Sequence, residues 1–138
     1  MPVVRDELLQ LRSSHDIVVV RQEVRTWAVA QGFNLVDQTK IVTAASELAR
    51  NALEYGGGGT VCLEALEEGG GGGQRRGLRL TFEDRGPGIA DIALAMTDGY
   101  TTRGGLGLGL SGSKRLANEF DISSTPGEGT RVTITRWK

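Results

Sequence analysis

The sequence predicts an α/β fold in one domain. Three observations carry that expectation: two stretches with apolar residues at helical spacing, two pairs of alternating stretches joined by glycine-containing turns, and a composition able to bury one ordinary core. The chain has 138 residues, 38% hydrophobic and 24% charged. Sixteen basic residues against seventeen acidic ones leave a formal net charge of −1, which gives no overall electrostatic case for nucleic acid or an acidic membrane. The N-terminal stretch MPVVRDELLQLRSSHD is charged throughout and lacks an apolar run of signal-peptide length, and no later segment approaches membrane-spanning length, so the expectation is a soluble cytoplasmic protein. The single cysteine, Cys62, lies in a strand-like run and reads as a buried small hydrophobe.

Val3–Arg12 reads as an edge strand with Leu9 and Leu11 facing inward. From Asp16, a helix places Ile17, Val20, Val24, Trp27 and Ala28 on one face, with Ser13, Ser14 or Asp16 able to cap it and Gly32 to end it. Arg21 and Arg25 lie one turn apart on that helix, either on a solvated face or on a partner surface, as does the Lys114–Arg115 pair later. Asp37 is the expected cap of a second helix, Gln38 to Tyr55, which carries Ile41, Ala45, Leu48, Ala52 and Tyr55 at helical spacing and stops at Gly56–Gly59. Thr60–Leu66 and Gly77–Phe82 should pair as a hairpin, with the pentaglycine stretch between them a flexible tip. Asp91–Met96 is expected as a short helix, Thr97–Gly105 as a mobile lid, and Ser111–Phe120 as the helix that follows the glycine run. Asp121–Thr125 and Thr130–Arg136 close the chain as a hairpin turning at Pro126–Gly129, with Val132, Ile134 and Trp137 inward.

Three motifs carry the chemistry. Glu47 and Asn51 are four apart and project from one helical face beside Ala44, Leu48 and Ala52; a carboxylate beside a carboxamide can serve as base and metal ligand, or the two can be a solvated pair. Asp84, at the end of a strand, is followed by Gly86 and Gly88, an arrangement that suits either a tight turn or a carboxylate on the floor of a cleft whose backbone runs close beneath a flat ligand. Gly104–Leu116, GGLGLGLSGSKRL, passes from glycines into a helix, which suits a loop or a phosphate cradle built from backbone N–H groups.

In this order, Glu47-x-x-x-Asn51, Asp84-x-Gly86-x-Gly88, Gly105-x-Gly107-x-Gly109 and Gly129-Thr130 resemble the N, G1 and G2 boxes of the GHKL ATPase and kinase superfamily. SELARNALEYGGGG, EDRGPGI, MTDGYTTRGGLGLGLSGSKRLANEF and PGEGT with a late Trp137 are similar to switch-protein serine/threonine kinases of the RsbT type, relatives of the anti-sigma factors RsbW and SpoIIAB. The resemblance implies a two-layer α+β sandwich of the Bergerat type, with a mixed, mostly antiparallel sheet and helices on one face. It implies ATP and Mg2+ as cofactors, Glu47 as the base for a protein hydroxyl and Asn51 as the Mg2+ ligand. It places Asp84 on the adenine amino group, Gly86 and Gly88 beneath the base, and Thr130 as a further adenine contact. Thr101, Thr102, Gly104, Gly105, Leu106, Gly107, Leu108 and Gly109 would surround the phosphates. The implied partners are a STAS-domain antagonist of the RsbS kind as substrate, a stressosome scaffold, and a PP2C-type phosphatase of the RsbU kind that the released kinase activates.

The chain departs from that pattern at Arg103, Leu108, Ser111 and Ser113 and in its long glycine loop, and none of these removes a residue the chemistry needs. The competing readings are an anti-sigma factor binding a sigma subunit directly and a catalytically idle nucleotide-binding interaction module. The lone His15, at a helix start without a dimerisation segment, gives little support to a histidine kinase.

Overall fold

The computed structural model describes residues 3–70, 73–89, 92, 96 and 109–138. Strand β1 is Val3–Leu11, helix α1 Ser14–Ala30, helix α2 Leu35–Glu54, β2 Gly59–Gly70, β3 Gly73–Asp84, α3 Gly109–Arg115, β4 Glu119–Thr125 and β5 Gly129–Trp137. The strands form one five-stranded sheet in the order β1-β2-β3-β5-β4, and every described pairing is antiparallel. As expected, β1 is an edge strand with Leu11 fully buried and Leu9 packed against the core.

Sheet alternation and helix periodicity meet in one core. Leu63, Leu80 and Ile134 form one row across β2, β3 and β5, Val61, Phe82 and Val132 the next, and both rows are buried. Against them lie Val20, Val24 and Trp27 of α1 and Ile41, Ala45 and Leu48 of α2. Ala44, Ala45, Ala49 and Ala52 keep α2 slim enough for close approach on several sides. At the end of α1, Gly32 and Phe33 N–H groups donate back to the Val29 and Ala28 carbonyls, and Gln31 Nε2 donates to the Leu66 and Gly77 carbonyls at 3.0 and 2.9 Å, fastening the helix to the sheet.

Several expectations need correction. Helix α2 starts three residues before Gln38: Asn34 is its cap, with Oδ1 accepting the Asp37 N–H at 2.8 Å. The Asp37 carboxylate instead accepts from Arg136 Nη2 at 2.7 Å, and Arg136 Nη1 donates to the Leu116 carbonyl at 3.0 Å, joining α2, β5 and the turn after α3. The β2–β3 hairpin runs well into the glycine stretch, with Glu67 opposite Arg76 and Gly70 opposite Gly73, because cross-strand charges hold the register where apolar side chains run out. The third helix ends at Arg115, and Glu119 and Phe120 open β4, where Phe120 and Ile122 alternate onto the core. Trp137 is buried, but strand parity turns it to the face opposite Val132 and Ile134; there its ring lies over Gly77, its Nε1 donates to Glu119 at 2.6 Å and Arg75 stacks 3.9 Å from its centroid. Cys62 is on the same open face and half-buried, and that partial burial raises its thiol pKa. His15 is exposed.

Arg136→Met removes the tie while keeping the stem of the side chain. The expected loss is about 2 kcal/mol, from a part-buried ion pair and an orphaned carbonyl. Urea denaturation would read it as a lower midpoint with an unchanged slope, and an unchanged midpoint would contradict the role given to Arg136.

Candidate functional site

Strands β3, β5 and β4 end together, and their register sets Asp84 opposite Thr130 and Thr130 opposite Ser124. Residues in register share a face, and each of these three lies two positions beyond or before a core residue: Phe82, Val132 and Ile122. The row therefore stands on the helix-covered face at one end of the sheet. The C-terminal end of α2 meets it there, because a Cβ on Gly56 would collide with the Asp84 side chain.

Asp84 turns its carboxylate onto the following loop, where Oδ1 accepts the Gly86 N–H at 2.9 Å. Burial raises its pKa above the ordinary aspartate value, and backbone N–H groups of Gly86 and Thr130 oppose that rise. Gly86 passes so close to α2 that a Cβ would stand 3.0 Å from the Tyr55 carbonyl oxygen. Gly88 has φ +76°, and its backbone is pressed against the Thr125 carbonyl, so both sides of the turn exclude a side chain. The result is a half-buried acceptor above a loop whose glycines pack closely against the end of α2 and the Thr125–Pro126 turn. That is a floor for a flat ligand carrying a donor.

Glu47 and Asn51 occupy the face of α2 that leads away from this floor. Glu47 is only 8% exposed, which rules out a solvated pair, and Asn51 is half-buried. A carboxylate this enclosed needs partners. Arg50 Nη1 donates to Glu47 Oε2 at 3.2 Å, with the arginine side chain 46% exposed at the outer edge. Glu47 lies seven residues before Glu54, the last residue of α2, roughly 10 Å of helix rise from the end that meets Asp84, so acceptor floor and carboxylate stand at two ends of one elongated site.

The first two motifs thus converge, and the structure adds residues that motif reading missed. Ser124 Oγ accepts the Ile89 N–H at 2.7 Å and lies 2.8 Å from Thr130 Oγ1, binding the loop after Asp84 to the closing hairpin. Pairing Thr130 outward from the Pro126–Gly129 turn would have placed Ser124 beside it. Arg50 and Gly56 were equally legible from their places next to Asn51 and Tyr55. Thr101, Thr102, Arg103, Gly104, Gly105, Leu106, Gly107 and Leu108, with the lid expected over 97–105, lie outside the described residues. So does most of the Asp91–Met96 helix, of which the Met96 N–H to Ile92 carbonyl bond is described. Gly109 opens α3, and the next residue, Leu110, enters the core. Arg21 is exposed, whereas Arg25 is half-buried and donates to Gln38 at 3.2 Å. No group of three or more histidine, cysteine, aspartate or glutamate side chains that could hold a metal occurs among the described residues.

Known proteins resemble this chain in sequence and in fold. The chain is 45% identical over 129 residues to the serine/threonine-protein kinase RsbT of Bacillus subtilis, covering 94% of each chain. It is 36% identical over 136 residues to the anti-sigma F factor of Caldanaerobacter subterraneus, covering 95% of this chain and 92% of that one. A crystal structure of the RsbU and RsbW domains of a Mycobacterium tuberculosis protein superposes with a TM-score of 0.64 at 24% identity, covering 96% of this chain and 32% of that one, a likeness of fold. Residues 36–138 match the histidine kinase-, DNA gyrase B- and HSP90-like ATPase family, and this chain belongs to that family.

Proposed function

We propose that the protein is a cytoplasmic, single-domain, ATP-dependent serine/threonine protein kinase of the RsbT type. Its substrate is a hydroxyl on a STAS-domain antagonist, and once released from that antagonist and its stressosome scaffold it activates a PP2C-type phosphatase. The observation that carries this reading is the enclosed Glu47 on the same helix that closes over the Asp84 floor. A carboxylate kept out of water beside Asn51 suits a base for a protein hydroxyl better than it suits a surface made only for contact.

Each residue does a simple job. Asp84 accepts from the adenine amino group, Thr130 meets the neighbouring ring nitrogen, and the turn carrying Gly86 and Gly88 lies beneath the base. Asn51 offers one carboxamide oxygen to Mg2+, and one protein ligand is enough for an ion that keeps waters and phosphate oxygens as its other ligands. The ion, when bound, neutralises phosphate charge. Gly105, Gly107 and Gly109 supply the phosphate cradle in this reading. Glu47 takes the proton of the incoming hydroxyl, and the remaining demand of phosphoryl transfer is positioning.

Incubation of the purified protein with labelled Mg-ATP and candidate STAS proteins tests the reading: transfer to one of them supports it. Nucleotide binding without transfer to any would refute the kinase, and capture of a sigma factor would favour direct anti-sigma action. Glu47→Ala should keep ADP affinity and slow transfer about a hundredfold or more, while Asn51→Ala should abolish Mg2+-dependent binding. Transfer at the parent rate by Glu47→Ala would remove it as the base.

Acid should weaken nucleotide binding. Asp84 is the stronger acceptor when ionised, its pKa in the free protein is raised by burial, and an adenine amino group favours the ionised form. Binding is therefore complete above that raised pKa and is lost as the pH falls through it, by about tenfold per unit below. ADP titrations down a pH series should show the fall beginning above the ordinary aspartate range. Affinity that stays level down to pH 4 would contradict the role of Asp84.

A further inference from the structure

Glu47 has a cation on one flank and a carboxamide on the other. On an α-helix the side chain three residues on stands about 60° to one side, and the one four residues on about 40° to the other. Arg50 and Asn51 hold those two places on α2. The Arg50 guanidinium donates from Nη1 to Glu47 Oε2 at 3.2 Å. Its side chain is largely exposed, whereas that of Glu47 is enclosed, so the ion pair is wet at one end and dry at the other. A fully exposed pair at this spacing is worth little, because water screens it and both side chains lose rotamers. Here packing already limits the carboxylate, and the charge beside it is less screened than on an open surface.

That asymmetry matters for a base. On the reading of Glu47 as the base and Asn51 as the Mg2+ ligand, the carboxylate works only while it stays where the incoming hydroxyl arrives. Glutamate turns about three side-chain bonds, and the carboxamide N–H group of Asn51 is a competing donor on the opposite flank. A carboxylate drawn to that flank would leave the hydroxyl and tie up the carboxamide as well. We propose that Arg50 is a positioning residue for phosphoryl transfer, which draws the Glu47 carboxylate to the flank away from Asn51 so that the two side chains keep separate tasks. A guanidinium suits the role because it stays charged at every working pH. Arg50 acts through Glu47, so its loss should slow transfer and spare the binding of nucleotide and protein.

Steady-state transfer from Mg-ATP to the STAS protein that accepts phosphate tests the proposal, with ADP affinity measured by calorimetry on the same full-length variants. Arg50→Met, which keeps the stem of the side chain, should lower kcat about tenfold, the worth of one hydrogen bond to a charged group. The KM for ATP, the KM for the STAS protein and the ADP affinity should each stay within about twofold. Arg50→Lys, which keeps a cation and a donor, should recover kcat to within about threefold of the parent. Arg50→Gln gives a second reading of the loss should the methionine variant fold poorly. In a Glu47→Gln background, Arg50→Met should lower kcat no further, which a merely structural role would not produce. Parent-level kcat in Arg50→Met and Arg50→Gln, a raised KM for the STAS protein at unchanged kcat, or a further tenfold loss in the Glu47→Gln background would overturn the proposal; the raised KM would make Arg50 a docking contact instead. A parent protein that transfers to no STAS protein, or a Glu47→Gln variant at the parent rate, would defeat the reading of Glu47 as the base, and this inference with it.

Discussion

The structure depends on the antiparallel register at the end of three strands. Fixing Asp84 opposite Thr130 and Thr130 opposite Ser124 puts three polar side chains in one row on the face that otherwise holds the core. A slip of one residue would send all three to the open face and bring Glu83 and Arg131 inward. The apolar rows behind them, Leu80 with Ile134 and Phe82 with Val132, forbid that slip because they must stay buried. Core packing and site geometry are thus one constraint. A polar row can remain on a buried face here because it lies at the sheet end, where backbone N–H groups of the following loop satisfy it.

Helix α2 is the second shared element. Its alanines let it lie close to its neighbours, its glycine-marked end meets Asp84, and its middle carries Glu47 and Asn51. Its orientation is held from the far end by Asp37 and Arg136, residues 99 positions apart in the chain. A rotation of α2 about its axis would expose Glu47 and break the approach of Gly56 to Asp84 together. This explains how the two ends of the site keep their geometry: Glu47 and Asn51 lie on α2, and Asp84 meets its C-terminal end.

Much of this was legible in the sequence, and the failures share a cause. Periodicity and alternation reveal which residues face together, which is why both long helices, both hairpins and the edge strand were found where they stand. The burial of Glu47 was not legible, since a four-residue spacing says only that two side chains share a face; the packing of α2 decided it. Asp37 looked like a cap until Arg136 was seen to claim it, leaving the role to Asn34. Phe120 fits a helix as well as a strand when read alone, and only its pairing with Ile134 settles the matter. Trp137 reads inward with Val132 and Ile134 from the sequence, whereas strand parity turns it to the opposite face over Gly77. Ser124 was missed because a serine before a turn carries no local signal, and its meaning lies in what pairs with it.

The measurement that tests the central claim most directly is calorimetric titration of the purified chain with ADP in the presence and absence of Mg2+. The account, with Asp84 and Asn51 at one shared site, predicts a single site per chain whose affinity rises sharply when Mg2+ is present. Failure to bind ADP under either condition would contradict it, and would mean that this row of strand ends and the helix above it serve protein contact alone.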